Sequence, residues 1–265
     1  VRLVGSEMCI RDSERVRYPA VAGMFYPADP VELLRQVKHY LSDVPLRDGP
    51  SPKAIVAPHA GYIYSGPIAA SAYGCIKPLG IRRVVLLGPS HHVVLHGAAT
   101  SSSSAWRTPL GDVPIDVPPG LQVSDAAHED EHSLEVHLPF LQVVLGDFTL
   151  TPLVVGDASE VQIAGVLESL WGGSETLIVI SSDLSHYENY ETANRIDSAT
   201  SQAIVNLDLS GLKHQTACGN VPIRGLLHLA KQKGMHAELI DLRNSGDTAG
   251  SRDGVVGYGA FAFYE

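Results

Sequence analysis

TLIVISSDLSH, Thr176 to His186, decides how the chain is read. Its first seven residues form a short, continuous apolar run rich in β-branched side chains. That is the pattern of a strand buried on both faces, as in a parallel sheet covered by helices. Working outward, AIVAP (Ala54 to Pro58) and RRVVLLG (Arg82 to Gly88) read the same way, as does FTLTPLVVG (Phe148 to Gly156). AELIDL and VVGYGAFAF supply two later strands. Helical patterns lie between them. Asp29 caps the helix opened by Pro30, with Glu32 three residues on, and Leu33, Leu34, Val37 and Leu41 form its apolar face. Asp157 with Glu160 repeats the capping pattern before VQIAGVLESLW, and helices are predicted through Ala193 to Asn206 and around Pro222 to Lys233. In HSLEVHLPFLQVVL, Pro139 kinks a helix or marks its start. ATSSSSAWRTPLGDVPID reads as loop and hairpin. The alternation predicts an α/β fold with a central, mostly parallel sheet flanked by helices on both faces.

Composition bounds the function. The 265 residues are 45% hydrophobic and 18% charged, enough to bury a large core. A formal net charge of -10, without clustered Lys or Arg, argues against nucleic acid and anionic membranes as partners. A small polar substrate fits better. No apolar run approaches the roughly 20 residues of a membrane helix. Three cysteines without a CxxC pair support neither a disulfide framework nor a zinc knuckle, and a reducing cytoplasm is expected. Residues 1–13 have no helical or strand period, and Leu3 to Ser13 resembles a translated library-preparation adapter. They are set aside as an adapter-derived or disordered leader, and residues 14–265 are expected to form one domain.

Ligands in open α/β sheets bind beyond the carboxyl ends of the strands, so the residues after each strand carry most information. AIVAP is followed by His59, RRVVLLGPS by His91 and His92, TLIVISS by Asp183 and His186, and AELIDLRNSG by Asp247. Each alone is ordinary: a histidine at a turn, an aspartate capping a helix, an Asn-Ser-Gly-Asp turn. Four strand ends delivering such groups together point to one site. Two imidazoles and a carboxylate, His59, His91 and Asp247, would make the facial triad of non-haem iron. Asp183 and His186 are expected to act as an orienting carboxylate and a general base. In HEDEHSLEVHLPF, His132 and Glu135 are candidates to line the pocket; the spacing is not that of an HExxH zinc protease. Tyr62, His92 and Cys218 join them as pocket candidates, although Cys218 in TACGNVP reads equally as packing at a helix start. No phosphate-binding glycine loop or nucleophile elbow is present.

VAGMFYP, APHAGYIYSG, LLGPSHH, DEHSLEVHLPFL, ISSDLSHY, ACGNVPI and NSGDTAG, closing with VVGYGAFAF, together resemble the MEMO family, in order, over Arg17 to Phe263. The resemblance implies a fold like that of the LigB-type extradiol dioxygenases, which are non-haem iron enzymes cleaving catecholic rings. It implies metal histidines at His59 and His91 and acid/base candidates at Asp183 and His186. Animal members carry a cysteine as third ligand, and the corresponding position here is expected to be Asp247. Fe(II) is the implied ion, with copper or zinc as alternatives. Microbial members are component B of the AmmeMemoRadiSam system, so an AMMECR1-like protein and a radical SAM protein are implied partners beside a small molecule or peptide. The functions weighed are a dioxygenase-like redox enzyme, a metal-dependent hydrolase or lyase, and a non-catalytic binding module.

Overall fold

A computed structural model describes residues 15–213 and 216–265. The leader reading, residues 1–13, lies outside the described residues. The chain opens with β1 (Val16–Arg17), α1 (Pro30–Ser42), β2 (Ala54–Ala57), α2 (Tyr62–Tyr73) and β3 (Arg83–Pro89). Short elements follow: β4 (Ala98–Thr100), the hairpin β5 (Ala105–Thr108) and β6 (Gly111–Pro114), β7 (Gln122–Val123), α3 (Asp125–Glu129), α4 (His132–Glu135) and α5 (Leu138–Leu145). The second half holds β8 (Thr149–Val155), α6 (Glu160–Leu170), β9 (Thr176–Ser181), β10 (His186–Glu188), α7 (Tyr190–Val205), α8 (Asn220–Gln232), β11 (His236–Asn244) and β12 (Val255–Tyr264).

The main sheet runs β10-β12-β2-β9-β3-β8-β4-β7, with β11 on the other edge of β12. Its parallel heart is β2, β9, β3 and β8; β12 and β4 join it antiparallel on either side. The continuous apolar runs belong to these central strands because both faces are covered. Ile55 and Ala57 of β2 face a core built with α1, α2, α4 and α5, whereas Ala54 and Val56 face one built with α6, α7 and α8. The predicted α/β sheet with helices on both faces is what forms.

Local signals were kept or displaced by identifiable competitors. Asp29 caps α1 by accepting the Glu32 N–H at 2.9 Å. The cap of α6 is Ser159, in a reciprocal box with Gln162, and not Asp157 with Glu160. Two overlapping patterns lie two residues apart, and Asp157 is committed instead to backbone pairing, its N–H donating to Leu95 and its carbonyl accepting from Gly97. Pro139 stands in the first turn of α5, after α4 has ended.

Glu135, expected at the pocket, is a structural residue. Its carboxylate is fully buried and accepts from Arg17 Nη1 at 2.8 Å, the Tyr26 hydroxyl at 2.6 Å and the Ala20 and Val21 N–H groups at 2.8 and 3.0 Å. Arg17 also donates to the carbonyls of His128 and Glu131 and lies over the Trp106 ring. One ion pair with every hydrogen bond satisfied therefore ties residues 17–26 to the α3–α4 region. Glu135→Ala would leave Arg17 buried without its counter-ion, and is expected to cost roughly 3–5 kcal/mol in urea denaturation; a loss under about 1 kcal/mol would show the clasp to be dispensable.

Two further imidazoles are held inside the fold. Burial pulls His128 down to about 4 and His137 to about 3. Both are neutral in the folded chain and return to an ordinary value near 6.5 on unfolding. The unfolded chain thus binds more protons between about pH 6.5 and about pH 4, so stability is full above that window and declines as pH falls through it. Denaturation midpoints measured from pH 7 to pH 4.5 should drop steadily, and His137→Asn should flatten the slope.

Candidate metal centre

Three chain segments meet at the carboxyl edge of the parallel strands. His59 follows β2, His91 follows β3, and Cys218 arrives from the loop before α8. The metal-capable atoms of these three side chains lie within 4.8 Å of one another. Cys218 Sγ stands 3.3 Å from His59 Nε2, close to the roughly 3.5 Å separating a sulfur and a nitrogen ligand on one tetrahedral ion. Among the described residues, the other such group is His91, Glu131 and His132.

The surroundings fix which ring nitrogens are free. Ser181 Oγ donates its proton to the Ser133 carbonyl at 2.6 Å, so at 2.6 Å from His59 Nδ1 it accepts. His59 thereby carries its proton on Nδ1 and turns a lone pair at Nε2 toward the sulfur. Burial, reinforced by the neighbouring histidines, lowers His59 well below the ordinary imidazole value, which keeps it a neutral imidazole. His91 Nδ1 lies 2.8 Å from Glu131 Oε1, and the His91 N–H donates to Glu131 Oε2 at 2.7 Å. Burial pushes the Glu131 carboxyl up, but hydrogen bonds from the His91 ring and backbone and the Ser133 N–H outweigh it and bring it to about 2. This ionised carboxylate orients His91 with Nε2 free, the carboxylate–histidine arrangement found behind metal ligands.

Cys218 is positioned by backbone. Its N–H donates to the Asp183 carbonyl at 3.2 Å, and the Asp183 N–H donates to its sulfur at 3.1 Å. The close approach depends on Gly219, where a Cβ would stand 2.5 Å from the Ser181 carbonyl oxygen and 2.6 Å from Ser182 Cβ. Burial, with the negative charge of Asp183, pushes the thiol up to about 12. A cation must displace that proton on binding, so affinity will rise with pH.

The remaining sequence candidates are placed as follows. Asp247, expected as the third ligand, is turned back into its own turn: Oδ1 accepts from the Tyr190 hydroxyl at 2.5 Å and Oδ2 from the Asn244 N–H at 3.0 Å. It follows β11, which is separated from β2 by β12, so its strand end reaches the same edge two strands too far out. The metal-capable atom that does lie beside those of His59 and His91 is the Cys218 sulfur. Asp183 is buried and accepts the His59 N–H at 2.8 Å; burial raises its carboxyl to about 7, against the lowering effect of the His59 and Ala60 N–H groups. It steadies the backbone of His59 rather than the ring of His186. His186 is exposed, and its Nδ1 is paired with the Leu184 carbonyl at 2.8 Å, which leaves Nε2 as an acceptor. Burial of part of its ring, set against the Leu184 bond, leaves it below the ordinary value.

His132 lies closer to the cluster than its sequence pattern indicated. Its ring stacks on His91 with centroids 4.7 Å apart and 18° between planes, and meets His59 edge-on at 5.5 Å. Burial, then the nearby His91, lowers it to about 4. His92 stands edge-on to His132, whereas Tyr62 is buried with its hydroxyl donating to the Val136 carbonyl at 2.6 Å. Glu131 and Ser181 were not singled out in the sequence. Glu131 was masked by the acidic run around it, and Ser181 by reading as the end of a strand.

Fold and site define an α/β protein with a His-His-Cys cluster at the carboxyl edge of its parallel strands. The chain belongs to the Memo-like protein family, which it matches over residues 17–262. A MEMO1 family protein of Methanopyrus kandleri is 38% identical, the match covering 93% of this chain and 98% of that protein. Others from Sulfolobus acidocaldarius and Methanosarcina mazei are 37% and 36% identical, each covering 92% of this chain and 97% and 98% of the relative.

Glu131→Gln keeps the shape and removes the charge behind His91. Zinc affinity, measured by competition with a chromophoric chelator, should fall roughly 10- to 100-fold. An unchanged affinity would detach Glu131 from the centre.

Proposed function

We propose that His59, His91 and Cys218 hold a metal ion and that the protein is a metal-dependent redox enzyme acting on a small hydroxyl-bearing molecule. The observation that carries this reading is the tautomer lock: both imidazoles present a free Nε2 to a space that also receives a thiol sulfur. The donor set differs from the two-histidine, one-carboxylate triad. A thiolate shifts preference from hard Fe(II) toward softer ions, so copper and zinc rank beside iron. Such an ion, when bound, supplies Lewis-acid polarisation of a ligand hydroxyl and, for iron or copper, electron transfer.

The chain's own residues supply the proton chemistry. His186 carries an acceptor Nε2 on an exposed ring, and His132 is a neutral imidazole packed on the rings of His59 and His91; either can take a proton from a bound hydroxyl. Asp183 and Ser181 hold His59 in place, Glu131 holds His91, and Gly219 lets Cys218 reach them. Among the described residues, no helix is long and apolar enough to cross a membrane. A thiol ligand must be kept reduced, which suits a reducing cytoplasm. An AMMECR1-like protein and a radical SAM protein belong to this proposal as partners.

Anaerobic titration with Fe(II), Cu(I) and zinc tests the centre. Cys218→Ala should weaken binding at least about 10-fold, while Asp247→Ala should match the unaltered chain. Oxygen uptake by the iron- or copper-loaded protein across a panel of hydroxylated aromatics tests the reaction, and His186→Ala or His132→Ala should suppress turnover roughly 10²- to 10⁴-fold without releasing metal. Oxygen-independent turnover with zinc would replace the redox reading by a hydrolase or lyase. Metal binding without turnover of either kind would make the protein a binding module.

A further inference from the structure

A cavity of about 400 Å³ opens beside the cluster, with His91, His92 and Cys218 in its lining. Its other walls are aliphatic: Val93, Val94 and Leu95 from the loop after β3, Val155 at the end of β8, and Val221 and Pro222 at the start of α8. The charged lining residue is Asp157; among the described residues, no lysine or arginine lines the cavity. The trough is built in advance of any ligand. Ser90 donates its N–H to the Val155 carbonyl, Asp157 to Leu95, Gly97 to Asp157 and Gly156 to Gly97, which joins the two loops by four backbone hydrogen bonds. Gly156 packs so tightly on Leu95 that a Cβ there would lie 2.0 Å from the Leu95 carbonyl oxygen.

Such a trough sorts ligands by charge. A substituent lying along it exchanges water for aliphatic surface, and each methylene buried is worth roughly fourfold in affinity. An anionic substituent finds no lysine or arginine in the lining to pair with and loses hydration against aliphatic walls. We propose that the site takes a ligand whose metal-binding head carries an apolar, uncharged substituent seated against Val94, Leu95 and Val221, and that it rejects the carboxylate- or phosphate-bearing counterpart. This inference rests on the metal centre proposed above.

A near-isosteric pair of probes separates the two charges: 4-ethylcatechol and 3,4-dihydroxyphenylacetate, bound to iron-loaded protein and followed by the ferric catecholate absorption. Metal content is measured first. The ethyl compound is expected to bind at least about 10-fold tighter than the acid, and 4-butylcatechol tighter again. Val94→Lys, at an exposed rim position that the fold does not need, and Val221→Lys should each shrink or invert that preference with metal content unchanged. Binding of the pair within threefold, a ratio unmoved by both lysine variants, or no catechol binding by metal-loaded protein would overturn the substrate class while leaving the centre standing. A chain that takes up no metal would overturn the centre itself, and this inference with it.

Discussion

The parallel pairing of β2, β9 and β3 is the constraint on which the site depends. In register, Ala57 of β2 stands beside Ser181 of β9, and Leu87 of β3 beside Ile180. Strands that run the same way must end at the same edge, so the residues following them, His59, Asp183 and His91, are delivered to one place by backbone geometry alone. Ser181 is at once the last residue of β9 and the hydrogen-bond acceptor that sets the His59 tautomer. The sheet therefore orients the His59 ring as well as locating it. Side chains with no part in the proposed chemistry, such as Ile55, Leu86 and Val179, maintain the register by packing under the helices.

The interior separates polar groups by task. Glu135 and Arg17 satisfy one another and the surrounding backbone, leaving no capacity for a ligand. Glu131, only four residues earlier, spends its oxygens on His91 and on the first turn of α4. The two carboxylates belong to one acidic stretch, yet one fastens the N-terminal segment and the other serves the cluster. Their division follows from position: Glu131 is the extended N-cap of α4, whereas Glu135 closes that helix one turn later.

How much of this was legible in the sequence follows the same physics. β9, β3 and β2 could be read because strands covered on both faces are continuously apolar, whereas two- and three-residue strands such as β7 and β10 carry no period to read. His59 and His91 could be found because each lies just past a central strand. Asp247 lies just past a strand too, but strand order is not written locally, and β12 intervenes between β11 and β2. Cys218 was read as a pocket candidate and not as a partner of His59 and His91 because it follows no strand: a loop brings it in, and the permission for that approach is a missing Cβ at Gly219. The acid/base pairing of Asp183 with His186 was inferred from their spacing after β9 and from the family resemblance; in the fold Asp183 holds the His59 N–H, and His186 Nδ1 pairs with the Leu184 carbonyl.

β2 sits between β9 and β12, whose sequences come much later, and its register with β12 joins residues roughly 200 positions apart. During synthesis β2 therefore waits with both edges unpaired while most of the chain is made. A wholly apolar four-residue strand with open edges is a template for misplaced pairing. The long-range pairing that places His59 in the finished fold is thus of the kind that slows the acquisition of a fold.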